Sequence, residues 1–267
     1  MQVLRATAGA LSSHPALFAN LFLRELRSRY LGSITGMFWA VLHPLMLLGV
    51  YSFLFTTIFR VRLPELGSAS FLAFVAAGLW PWMAAQDGMQ RATVSIINQS
   101  ALIKKVAFPH ELVIVASVAA ASVVHLAGYA VILAFLWASG EPIQPAGFAT
   151  ALLVWAIVFV GTCGAGFVLA ALQVFLKDTE HVLAPLLMVL FYLTPILYPH
   201  SLVPESLRAY VEANPFSYLV GRAQDGLFAR GPLFAPGDLL ALVLAIALFL
   251  AGRWVFRRLS PHFEDFV

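Results

Sequence analysis

From Met37 to Phe59 the chain carries no Asp, Glu, Lys or Arg, and the same holds for Leu112–Gly140, Pro142–Leu176 and Val182–Pro204. Runs of this length constrain the fold more than any motif does. A helix needs about 20 apolar residues to cross a hydrocarbon core of about 30 Å. Only 11% of the 267 residues are charged and 61% are hydrophobic, with a mean hydropathy of +0.88. Soluble domains hold about 25% charged residues, so this chain cannot cover a water-facing surface. It reads as an all-α integral membrane protein. The first 20 residues lack a basic stretch followed by a short apolar core and a small-residue cleavage site, so no cleavable signal is expected.

Two shorter runs, Ser70–Gln86 and Leu239–Gly252, bring the expected spans to six; the opening residues of the fourth run, "PIQPAG", read as a loop. With the N-terminus inside, eleven Lys and Arg fall on the cytoplasmic side (Arg5, Arg24, Arg27, Arg29, Arg91, Lys104, Lys105, Lys177, Arg253, Arg257, Arg258). Five fall outside (Arg60, Arg62, Arg208, Arg222, Arg230). That asymmetry favours both termini in the cytoplasm. Trp39 and Trp254 then lie near one interface, and Trp137 and Trp155 near the other. The net charge of +3 and the pI near 9.2 follow from these retained cations rather than from a nucleic-acid surface. The organisation expected is a cytoplasmic N-terminal segment over 1–36, a six-span domain over 37–256 and a cytoplasmic tail over 257–267. The single cysteine, Cys163, lies in an apolar run and reads as a packing residue.

Four stretches carry further information. In "LFLRELRSRYLGSITGMFWAVLHPL", Phe18, Phe22, Leu26 and Tyr30 share a helical face with Leu23 beside them, while Arg24, Arg27 and Ser28 lie opposite. This predicts a basic amphipathic helix on the membrane surface; an ordinary positive-inside anchor fits as well. Gly32 and Gly36 then give the turn into the bilayer its flexible points. In "NQSALIKKVAFPHELV" the segment "ALIKKV" (Ala101, Leu102, Ile103, Lys104, Lys105, Val106) forms a short helix. Its ridge of Leu102, Ile103 and Val106 suits a groove on a soluble partner, or it is a plain basic loop. In "GLWPWMAAQDGMQR", Trp80 and Trp82 flank Pro81 within a span. Proline breaks the hydrogen-bond ladder, and deep tryptophans suit either a sugar path or packing. Asp87 and Arg91 stand one turn apart and can pair.

The longest connection runs from Phe191 to Leu233. "PESLRAYVEANP" and "PFSYLVGRAQDGLF" read as two short amphipathic helices, with Leu207, Tyr210, Val211, Phe216, Tyr218 and Leu219 apolar. They suit a cap or gate over the outer leaflet, or a loop without a special role. Asp178, Glu180 and His181 in "FLKDTEHV" lack a second histidine at metal spacing and read as turn chemistry. His43 and His125 read as packing residues rather than a proton relay. No GxxxxGK[ST], GxSxG or HExxH motif occurs, so neither ATP binding of the familiar kind nor a common hydrolase is expected. No inverted internal repeat is evident.

The stretches "RELRSRYLGSITGMFWAVLHPL", "NQSALIKKVAFPHELV", "FYLTPILYPHSLVPESLRAYVEANPFSYLVGRAQDGLF" and "RRLSPHFEDF", in this order, resemble the membrane permease subunit of bacterial type-2 ABC exporters of O-antigen, capsular and teichoic-acid polymers. The resemblance covers nearly the whole chain. It implies a non-enzymatic half-transporter of the inner membrane. A second copy of the chain completes a channel, and two separate ATPase subunits bind ATP and Mg beneath it; no cofactor or metal is expected on this chain. The N-terminal helix is then an interface helix, and Ala101–Val106 the coupling segment. Leu207, Tyr210, Asn214, Pro215, Phe216 and Tyr218 belong to periplasmic gate helices between spans five and six. Trp80, Trp82, Phe191, Tyr192 and Tyr198 are candidates for an aromatic path. Arg24, Arg27 and Arg29 are placed by charge to meet the phosphates of a lipid-linked polysaccharide. The "LIKKV.FP" pattern differs from that common in the capsule branch and tilts the resemblance towards O-antigen or teichoic acid. A drug or small-lipid exporter is the nearest rival, ahead of an intramembrane transferase or a passive channel.

Overall fold

The computed structural model describes residues 14–28, 38–60, 69–105, 108–228 and 230–266. Arg29, Tyr30, Gly32, Gly36 and Val106 lie outside the described residues. Among those described, the regular structure is helical throughout. The helices are α1 (Pro15–Ser28), α2 (Phe38–Phe53, continued by a π-turn over Leu54–Ile58), α3 (Phe71–Asn98), α4 (Ser100–Ile103), α5 (Glu111–Ala138) and α6 (Gly147–Phe175). After them come α7 (Thr179–Leu193), α8 (Glu205–Ala213), α9 (Pro215–Leu227) and α10 (Pro236–Leu259), closed by a 3-10 turn over Ser260–Asp265.

Among the described residues, three helices are long and apolar enough to cross a membrane: Glu111–Ala138, Gly147–Phe175 and Pro236–Phe263. α2 and α7 are apolar but shorter. α7 stops at Leu193 although the uncharged run continues to Pro204. The reason is Pro195 and Pro199: a residue before proline avoids helical geometry, and Thr194 is extended. Its 15 residues reach about 22 Å. α3 departs in the other direction. The apolar run ends at Gln86, yet the helix continues to Asn98. Nineteen of its 28 residues are buried, because α3 packs against α5, α6, α9, α7 and α2. A helix surrounded by protein can carry polar groups across a bilayer, since its neighbours satisfy them.

Pro81 illustrates this. It has no N–H for the carbonyl of Ala77, four residues back. The Tyr129 hydroxyl on α5 donates to that carbonyl at 3.2 Å, and α3 runs through Pro81 as one helix. α6 and α10 meet at paired glycines. A Cβ on Gly252 would lie 2.2 Å from the Gly164 carbonyl oxygen, and one on Gly164 would lie 2.6 Å from the Phe249 nitrogen. Small residues permit such backbone contact between membrane helices.

One end of the bundle collects α1, α4, the start of α5 and the end of α10 around a common apolar cluster that includes Leu21, Ile103, Leu112, Phe256 and Phe263. There Glu111 on α5 meets Arg253 at 3.4 Å and Arg257 at 3.3 Å. The final segment, expected as a tail, is held in place: Phe263 is fully buried against Phe175 and Phe256. α1 lays its apolar face on α5 through Leu21, with Leu17, Phe18 and Phe22 partly buried. Leu23, expected on that face, is exposed. Trp155, expected in an interfacial belt, is buried beside Tyr129 with ring centroids 5.7 Å apart, whereas Trp39, Trp137 and Trp254 are exposed.

Candidate functional site

Residues 79, 82, 83, 86, 87, 90 and 91 of α3 follow i, i+3, i+4 spacing and form one face. That face opens on a cleft of about 490 Å³ between α2, α3, α5 and α7. Along α3 the lining changes character. Towards the start of α3 it is aromatic, with Tyr51, Trp82, Phe191 and Tyr192. Phe191 is the hub, its ring centroid 6.0 Å from Trp82, 6.0 Å from Tyr51 and 5.2 Å from Tyr192. One to two turns further on the lining is polar, with His43, Gln86, Asp87, Gln90, Arg91 and His125. Arg91 Nε donates to Asp87 Oδ1 at 2.9 Å, and His125 Nε2 lies 3.3 Å from Asp87 Oδ2. Asp87 and Arg91 keep 22% and 29% of their side-chain surface, so the pair faces the cleft rather than the packed core.

The five candidate path aromatics take different places. Trp82 is only 1% exposed. Its indole Nε1 donates to Gln86 Oε1 at 3.0 Å and its ring packs edge-on against Phe216 at 5.0 Å. It is a wall of the cleft, not a projection into it. Phe191 and Tyr192 present more open surface, Tyr192 being 55% exposed. Trp80 is fully buried, and a Cβ on Gly128 would lie 2.8 Å from its Nε1; it lies outside the cleft lining. Tyr198 is also outside it, half-buried, with its hydroxyl donating to the Tyr192 carbonyl at 2.7 Å.

The gate candidates divide likewise. Leu207 and Tyr210 on α8 are exposed. Asn214 is buried and accepts from Phe216 N at 3.0 Å, capping α9 with Pro215 in its first turn, while its amide donates to Thr194 Oγ1 at 2.8 Å. α9 is no surface cap: it packs on α6 and α3. Arg222 makes a two-pronged pair with Asp238 on α10 at 2.8 and 2.9 Å, and Tyr218 donates to Asp238 Oδ1 at 2.7 Å. Burial, and then that donation, push the Tyr218 phenol up to about 12, so it remains a donor.

At the opposite end, α4 separates the expected ridge. Ile103 is 2% exposed and anchors the turn in the core, while Ala101, Lys104 and Lys105 face outward and Leu102 is half-buried. A four-residue turn tethered between two long helices has one inward position, and Ile103 takes it. Arg24 Nη2 donates to Gln99 Oε1, linking α1 to the end of α3, and Arg27 is exposed. Asp178 stands at the N-cap of α7 and Glu180 and His181 lie in its first turn, and no cluster of three metal-ligating side chains occurs among the described residues.

Sequence reasoning reached the polar half of the cleft only through the Asp87–Arg91 pair and did not join Gln86 and Gln90 to it. The signal was present in the spacing of Gln86, Asp87, Gln90 and Arg91, two adjacent pairs four residues apart on one face. The contribution of His125 and His43 from other helices had no sequence signal.

Long apolar helices around a half-polar cleft mark a membrane protein. The chain belongs to the ABC-2 type transporter family, whose profile matches residues 16–228. Members of this family are membrane permease subunits, not enzymes. The chain is 27% identical to an O-antigen export system permease protein of Klebsiella pneumoniae over 248 residues, 91% of each chain. It is 28% identical to an O-antigen export system permease protein of Myxococcus xanthus over 261 residues, 96% of each. A polysialic acid transport protein of Escherichia coli is 26% identical over 239 residues, 86% of this chain and 88% of that one.

Proposed function

We propose that this chain is the permease subunit of an ATP-driven exporter of a lipid-linked polysaccharide across the bacterial inner membrane. The observation that carries the reading is the cleft. Aromatic faces grip the apolar C–H faces of sugar rings with little directional preference, which suits a polymer that must slide. That cleft occurs in a chain matched over 86–96% of its length by relatives named for O-antigen export and polysialic acid transport.

Six spans complete the reading: α2, α3, α5, α6, α7 with the segment that follows it, and α10. α1 and the C-terminal turn share one apolar cluster and therefore one end of the bundle. The count of eleven cations against five assigns that end to the cytoplasm. Two copies form the channel, because the cleft is open and α2 and α7 leave Val50, Phe53, Leu186 and Val189 exposed beside it. Two ATPase subunits, carrying ATP and Mg, dock on the cytoplasmic end. The outward face of α4, with Lys104 and Lys105, transmits their motion; Arg24 and Arg27 meet the phosphates of the arriving lipid carrier. α8 and α9 gate the exit. The test is deletion of the gene with complementation. Loss of surface polysaccharide with intracellular accumulation of lipid-linked polymer, restored by the wild-type chain, is expected. Normal surface polymer with altered drug or lipid export instead selects the small-molecule exporter.

A further inference from the structure

The polar half of the cleft has a composition that the aromatic track does not explain. Asp87 accepts, Arg91 donates, and His125, Gln86 and Gln90 can do either. All five line the same cavity, one to two helical turns from the aromatic zone. Ionisable groups at bilayer depth are costly and mark sites of function. Here Asp87 and Arg91 are only partly buried, with Asp87 Oδ2 turned inward to a buried His125. Asp87 keeps 22% and Arg91 29% of its side-chain surface, and His125, 9% exposed, backs the carboxylate at 3.3 Å.

The balance of charge selects the ligand. An anion approaching Arg91 meets the Asp87 carboxylate 2.9 Å from the guanidinium, and a cation approaching Asp87 meets Arg91. Neither gains much from a pair already neutralised. A neutral hydroxyl pair fits both: one oxygen accepts from Arg91 while the other donates to Asp87, and the flanking glutamines extend the pattern. Hydrogen bonds with a charged partner are the stronger kind. A donor left unmatched in such a site is penalised, which is how polar sites discriminate between hydroxylated and deoxygenated substrates.

We infer that Asp87, Arg91 and His125, with Gln86 and Gln90, form a hydrogen-bonding subsite for the vicinal hydroxyls of an uncharged sugar unit, placed before the aromatic zone on the way from the cytoplasmic end. The inference rests on the polysaccharide-export reading above. The subsite reads sugar identity, whereas the aromatic zone, which offers only ring faces, is tolerant. It is distinct from any phosphate contact of Arg24 and Arg27, which lie on α1 at the end of the bundle.

The experiment measures surface polymer per unit of detergent-extracted protein for the full chain in its own host. Deletion of the gene must first abolish surface polymer; if it does not, the export reading itself has failed. Given that loss, Asp87→Leu and His125→Leu should each lower export about ten-fold at unchanged protein yield, the effect of about 1.4 kcal/mol of lost charged hydrogen bonding. The double variant Asp87→Asn with Arg91→Gln keeps hydrogen-bonding capacity without charge and should retain at least a third of wild-type export. Should the leucine variants lower yield instead, Gln90→Leu decides, because Gln90 lines the cleft without an ion pair. A three-fold loss of export at normal yield is expected there, and an unchanged rate overturns the inference. Normal export by the leucine variants overturns it as well. A double variant as defective as Asp87→Leu shows that charge, and not hydroxyl recognition, is what the cleft requires. Finally, the purified chain titrated by tryptophan fluorescence with inorganic pyrophosphate should show no change that depends on Arg91; saturable quenching lost in Arg91→Gln would make this an anion site.

Discussion

Pro81 and Tyr129 make a two-residue experiment. Proline leaves the Ala77 carbonyl without its intrahelical donor, and the Tyr129 hydroxyl replaces it at 3.2 Å from a neighbouring helix. Both residues are buried, so water cannot substitute. Tyr129→Phe keeps the ring and strands the carbonyl, at a cost of about 1–3 kcal/mol. In a Pro81→Ala background the new N–H can bond to Ala77 itself. The same Tyr129→Phe change should then cost less than about 0.5 kcal/mol, leaving a coupling of about 0.5 kcal/mol or more. The assay is reversible unfolding of the purified chain in mixed micelles, followed by circular dichroism, for the four members of the cycle. Equal cost of Tyr129→Phe in both backgrounds would refute the idea that the hydroxyl repairs the proline break; the hydroxyl would then matter only for itself.

The Arg222–Asp238 pair joins α9 to α10 with both partners 6% exposed. Asp238→Ala strands a buried guanidinium and should cost about 3–5 kcal/mol, while Arg222→Met with Asp238→Leu should recover most of it; parallel unfolding curves for single and double variants would argue against this. Ile103→Asp buries an unpaired charge and should lower folded yield, whereas Lys104→Glu with Lys105→Glu should leave yield normal and lower ATPase copurification; the reverse pattern would show that Ile103 is the outward contact. Trp80→Ala and Trp82→Ala both remove buried rings and should cost about 3–5 kcal/mol, so Phe191→Ala and Tyr192→Ala are the cleaner tests of the path. Those two should slow export at normal yield, and unchanged surface polymer would remove the aromatic path. Cysteines placed at 208 should react with an impermeant reagent in intact cells while those at 104 and 257 stay silent; labelling at 104 would reverse the topology.

The sequence alone determined where the long apolar helices lie. The absence of charge over Met37–Phe59, Leu112–Gly140 and Pro142–Leu176 placed α2, α5 and α6 within a few residues, because the cost of carrying charge into hydrocarbon is local and large. It also placed α8 and α9, since Pro215 and the amphipathic spacing act within a turn. What it left open was which face of a helix meets lipid and which meets protein. α5, α6 and α10 are apolar on every side, so their pattern carries no direction, and the lipid tail is as apolar as leucine. Only the packed structure assigned Ile103 and Phe263 to the interior and Tyr192 to the cleft. α3 shows the reason most plainly. Asp87 ends its apolar run at Gln86, yet the helix, packed among its neighbours, continues to Asn98. A polar residue is tolerated within an apolar bundle when a neighbour distant in sequence supplies its partner, as His125 does for Asp87. That condition is met by tertiary contact, between residues 38 positions apart in the chain, and no local pattern encodes it.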